Sequence, residues 1–127
     1  MKKILKSKKG FTLIELIVVI VILAILIAAL TPAILGVIDR ANTEADRADA
    51  RTIMTAAQLA YIDSSPDLPT ATEIKDLISG GIPTNVKTYI AHFDEGTCIG
   101  VEVKGRITDG VSVGNVENED AEKVPGP

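Results

Sequence analysis

Apolar and polar positions change their rhythm three times along this chain. After ten residues that include five lysines, the run from Phe11 to Leu30 reads FTLIELIVVIVILAILIAAL, 20 residues whose sole charge is Glu15. A helix of that length covers about 30 Å, the thickness of a bilayer's hydrocarbon core, so the run predicts a membrane-spanning helix. It exceeds the roughly 7–15 residues of an ordinary secretory signal's apolar region. Beyond Pro32 a helical rhythm resumes. Ile34, Ile38, Ala41, Ala45, Ala48, Thr52, Ala56 and Leu59 recur at spacings of three and four, with Asp39, Arg40, Glu44, Asp46, Arg47 and Asp49 on the other sides. This predicts one long helix to about Tyr61, amphipathic in its second half. Pro32 has no N–H to donate, which predicts a kink or a melted turn just before it.

The rhythm breaks at Asp63-Ser64-Ser65-Pro66-Asp67-Leu68-Pro69, a turn cluster with two prolines. Thr70-Ala71-Thr72-Glu73 fits a capping box and predicts a short helix from Glu73 to Ser79, stopped by Gly80-Gly81. From Val86 the pattern turns to strands: Val86–Phe93, Thr97–Lys104 and Arg106–Val113, separated by Asp94-Glu95-Gly96 and Gly105, with Asp109-Gly110 as a possible tight hairpin. Ile99, Val101 and Val103 alternate with Cys98, Gly100, Glu102 and Lys104, which predicts a half-buried strand whose apolar face covers the helix. Residues 117–127 are acidic with Pro and Gly, and read as a loose tail. The fold class expected is α+β: a protruding N-terminal helix whose distal half packs on a small antiparallel sheet. The 64 residues from Ser64 onward are few, so the helix must supply much of the core.

Composition narrows the function. The chain has 127 residues, no Trp, two Tyr, two Phe, one His and one Cys. Stacking platforms for bases, histidine-rich metal sites and internal disulfides are thereby excluded or disfavoured. The net charge of −4 speaks against nucleic-acid binding through bulk charge. That average hides a division: Lys2, Lys3, Lys6, Lys8 and Lys9 lie in the first ten residues, which hold no acid, while the remaining 117 carry 8 basic and 17 acidic side chains. Lysines beside an apolar span hold that flank in the cytoplasm.

Glu15 is the most informative residue. An ionised carboxylate in a membrane helix costs about 2.5–3.5 kcal/mol on insertion scales and calls for a partner. Its context, Lys8-Lys9-Gly10-Phe11-Thr12-Leu13-Ile14-Glu15, resembles the class III signal peptide of type IV pilins and of the pseudopilins of type II secretion and competence systems. The resemblance implies cleavage between Gly10 and Phe11 by a prepilin peptidase, N-methylation of Phe11, and a role for Glu15 in assembly. It also assigns Pro32 and Gly36 to the helix-perturbing region. Domain limits follow: 1–10 leader, 11–32 transmembrane and filament-core helix, 33–127 head, with amphipathic helix 33–62, loop 63–85, sheet region 86–116 and tail 117–127. The implied function is a structural subunit of a type IV pilus, not an enzyme, without cofactor. The subunit is held in the cytoplasmic membrane and then drawn into a homo-oligomeric surface filament by a platform protein and ATPase. The alternatives are a pseudopilin and, from another class, a single-pass membrane protein with a ligand-binding ectodomain.

In a filament, the Phe11 amine of one copy neutralising Glu15 of another would fix register more than add stability. The remaining chemistry is thin. Cys98 has no partner, unlike the many pilins that close a C-terminal loop with a disulfide, so strand pairing must hold that loop; the thiol reads as a small buried strand residue. His92 reads as a surface or packing histidine. Asp109 and Asp120, with Glu117, Asn118 and Glu119, offer oxygen ligands for calcium only weakly, since no EF-hand spacing is present. No phosphate loop or nucleophile elbow is found.

Overall fold

The computed structural model describes residues 10–105, Thr108 and residues 110–127. Its elements are helix α1 (Leu13–Ser64), helix α2 (Ala71–Leu77) and strands β1 (Val86–Asp94), β2 (Thr97–Gly105), β3 (Val111–Gly114) and β4 (Glu122–Pro125). The chain divides between Val37 and Ile38 into two units. The architecture is α+β, as the residue pattern predicts.

In the first unit α1 is helical without interruption through Pro32 and Gly36, so the turn before Pro32 does not melt. Thr31 contributes to this stretch by donating its hydroxyl to the carbonyl of Ile27 at 2.7 Å, a back-bond that often accompanies bending. Every described side chain from Phe11 to Val37 is exposed. For a run of Leu, Ile and Val this is untenable in water, because each such side chain forgoes about 1.5–3 kcal/mol of burial.

The second unit packs α1 on an antiparallel sheet of order β3-β2-β1-β4. Here the structure corrects the expected helix face. The buried positions are Asp46, Ala50, Ile53, Ala56, Ala57 and Ala60, whereas Ile38, Ala41, Ala45, Ala48, Thr52 and Leu59 stay exposed. The two faces lie about 100° apart, one residue's step around a helix. Alanines occur all round this helix, so periodicity does not rank its sides; Ile53, fully buried in one cluster with Tyr89, Phe93, Val101 and Val103, does.

Helix α2 begins and ends two residues earlier than expected, but its cap is the expected one. Thr70 accepts from the Glu73 N–H at 3.3 Å, and Glu73 accepts from the Thr70 N–H at 2.6 Å. Strands β1 and β2 join through Glu95-Gly96, both at positive φ (46° and 83°), the two-residue loop whose twist suits a hairpin. Gly96 is also closely approached: a Cβ there would meet the Tyr61 ring at 2.9 Å, so one of the two would have to shift.

Register irregularities reset which side chains face the helix. His92 pairs with Gly100 but Phe93 pairs with Cys98, so Ile99 is the extra residue of a bulge. Its insertion swaps the alternation. Cys98, not Ile99, therefore joins Val101 and Val103 in the core, and Ile99 is only half-buried.

Two further expectations about the C-terminal region are affected. Val111–Gly114 forms β3, while Arg106, Ile107 and Asp109, parts of the third strand candidate and its proposed hairpin, lie outside the described residues. The loose tail is overturned: Glu122–Pro125 pairs with β1, placing Val124 opposite Ala91. Only Ala121 and Val124 are buried there, too few apolar positions to show as a period, and Pro125 is tolerated because β4 is an edge strand. The Gly126 N–H continues the pairing to the Tyr89 carbonyl at 2.8 Å. Strand pairing thus holds the C-terminal segment, as the unpaired cysteine required.

Between β3 and β4 the chain must cross from one sheet edge to the other. It does so over the face away from α1, where Asn115 donates to the Ile99 carbonyl at 2.8 Å and Val116 lies against Gly100. His92, the cross-strand partner of Gly100, is enclosed there (1% exposed) with Nε2 at 3.7 Å from Glu102 Oε2. It is a packing histidine.

Candidate processing and assembly site

The residues singled out by the N-terminal pattern converge on the start of α1. Gly10, Phe11 and Thr12 precede the helix and are exposed, Phe11 by 88%. Among the described residues nothing comes within 4 Å of the position a Gly10 Cβ would take. The Gly10–Phe11 bond is therefore in irregular, accessible backbone, the form a peptidase needs.

Glu15 is the third residue of α1, and its carboxylate turns back on Thr12. Oε2 accepts from the Thr12 backbone N–H at 2.8 Å and from its hydroxyl at 2.9 Å, while Thr12 Oγ1 accepts from the Glu15 N–H at 3.3 Å. This is a second capping box, satisfying donors that the first helical turn leaves orphaned. The Thr-x-x-Glu spacing that reveals the Thr70 box is equally present at 12–15. The signal was legible, and Thr12 is the site residue that motif reading alone passes over. A carboxylate in the first turn also favours the positive end of the helix dipole.

Pro32 and Gly36 stand well along α1 and are not brought to Glu15; a Cβ at Gly36 would meet nothing within 4 Å. Asp109 lies outside the described residues. Asp120 is exposed, its N–H bonded to Asn118 Oδ1 at 3.2 Å, and Asn118 donates in turn to Asp94 at 3.1 Å. Among the described residues no group of three His, Cys, Asp or Glu side chains is placed to hold a metal ion.

Cys98 belongs to the core, where burial pushes its thiol up to about 11 and a weak contact from Sγ to the Gly100 carbonyl at 3.8 Å only partly offsets this. At pH 8 about one thiol in a thousand would be ionised, and the thiolate is the nucleophile. Alkylation by iodoacetamide at that pH should be slow in the folded protein and complete within minutes in denaturant. Equal rates would show that the bulge at Ile99 does not bury the thiol.

A protein is thus defined whose long helix α1 begins after exposed, irregular backbone and is apolar enough over its first half to cross a membrane. Residues 5–31 match the family model of the prokaryotic N-terminal methylation motif. These residues carry the class III signal-peptide motif, which in type IV pilin-like proteins goes with prepilin cleavage, methylation and a transmembrane helix. No curated protein and no solved structure matches the chain. The motif fits membrane anchoring before assembly and implies processing by a prepilin peptidase.

Proposed function

We propose that this chain is a structural subunit of a type IV pilus, cut between Gly10 and Phe11, methylated on the new Phe11 amine, and moved from the cytoplasmic membrane into a surface filament. The observation that carries this reading is the conjunction at the start of α1. A small residue with no described neighbour at its Cβ position precedes an exposed Phe, and one carboxylate follows in the otherwise uncharged, apolar first half of α1. On this reading the apolar half of α1 serves twice, first facing lipid and then facing copies of itself. Copies would be recruited by a platform protein and ATPase, with Glu15 of one paired to the Phe11 amine of another. The protein is then a building unit and not an enzyme. Residues 1–10 are the leader, 11–32 the anchor and filament core, and 33–127 the head.

A pseudopilin of a secretion or competence system is the second reading, favoured by the small head with its four short to medium strands. Long sheared fibres from the cell surface would support the pilus; their absence alongside a processed, membrane-held protein would support the pseudopilus.

Mass spectrometry of fibre protein tests the first step. The mature chain should begin at Phe11 with one additional methyl group on its amine, and Gly10→Leu should leave the full-length precursor in the membrane. Fibres built from chains that still begin at Met1 would refute the proposal.

A further inference from the structure

Building on the assembly role read for Glu15, we propose that Thr12 is a positioning residue that holds this carboxylate ready for a second copy of the chain. All three bonds of the box run between Thr12 and either Oε2 or the backbone N–H of Glu15, leaving Oε1 outside it. A carboxylate offers acceptor positions on both oxygens. One oxygen can thus close the helix of its own subunit while the other receives an ammonium group from a neighbour.

The arrangement has two consequences. In the unassembled subunit the acid keeps hydrogen-bond partners, which lowers the cost of carrying it in the membrane. When an amine arrives, the glutamate is already in one rotamer, so the freedom of a long side chain need not be lost at that moment. Thr12 also ends the irregular segment that bears Phe11, which sets where the subunit's own amine leaves the helix. The Thr70 box on α2 has the same form without any assembly role in view, so a cap that does nothing more is the competing explanation.

The test uses the full chain, tagged and co-expressed with wild-type subunit, comparing the tag in sheared fibres with cleaved protein in the membrane. Thr12→Ser retains the hydroxyl and should match the wild type. Thr12→Val should be cleaved and inserted normally but enter fibres roughly fivefold less, the scale of a lost helix cap. Combined with Glu15→Gln, Thr12→Val should add no further loss, because the charge it serves is gone.

Normal entry of Thr12→Val while Glu15→Leu stays excluded would overturn this inference and leave the role of Glu15 standing. Free entry of the Glu15 variants would remove both. An undiminished loss from Thr12→Val in the Glu15→Gln background, or failure of Thr12→Val to be cleaved, would also overturn it, since the residue would then serve the helix or the peptidase.

Discussion

In cells lacking the wild-type subunit, Glu15→Leu should accumulate as cleaved, membrane-inserted protein with sheared fibres reduced by orders of magnitude. The sign of this expectation runs against the membrane energetics. Leucine removes an insertion penalty of about 2.5–3.5 kcal/mol, so a merely tolerated glutamate would be replaced with no loss of insertion or function. Failure therefore has to come from assembly, where the Phe11 amine of an incoming or resident copy loses its charged partner in apolar surroundings. Removing one member of a buried pair costs about 3–5 kcal/mol because the other charge is stranded, a factor of more than a hundred in recruitment. Glu15→Gln keeps a side chain able to serve the Thr12 box but not the charge, and should fail at the same stage. Abundant fibres from both variants would refute the assembly role. Loss of cleavage would move Glu15 to peptidase recognition.

The second large effect concerns the head. A fragment beginning at Ile38 omits the apolar span and retains the unit that packs as one body, so it should be soluble and show both helix and strand signals in circular dichroism. Within it, Ile53→Ala should cost about 2–5 kcal/mol, since Ile53 is fully buried among the sheet residues. Leu59→Ala, six residues on, should cost less than about 0.5 kcal/mol because that side chain is half exposed. With a slope of about 1–3 kcal/mol per molar urea, the first change shifts the unfolding midpoint by roughly 1 M or more and the second hardly at all. The opposite ranking would restore the helix face that periodicity alone suggests and reject the packing described. A fragment beginning after Ile62 should aggregate, because it exposes the sheet face that α1 covers.

The features legible in the residues alone are those governed by near neighbours. The apolar run and its lone acid, the Thr70–Glu73 box and the Glu95-Gly96 turn each depend on side chains within a few positions, and each is found where the residue order places it. The Thr12–Glu15 box belongs with them, being local chemistry present in the sequence from the start. Other features required the fold. Alanines on several sides of α1 left its buried face undetermined until Ile53 met Tyr89 and Phe93. A single bulge at Ile99 reversed the expected alternation and put Cys98 inside. The acidic C-terminus became β4 because β1 offered it a free edge and Val124 a place opposite Ala91, neither of which is visible within residues 117–127. Local hydrogen-bond and periodicity signals decide that a segment is helix, turn or strand. Which face it buries and which strand it joins depend on volumes, registers and open edges supplied by other elements, and these exist only once the chain has packed.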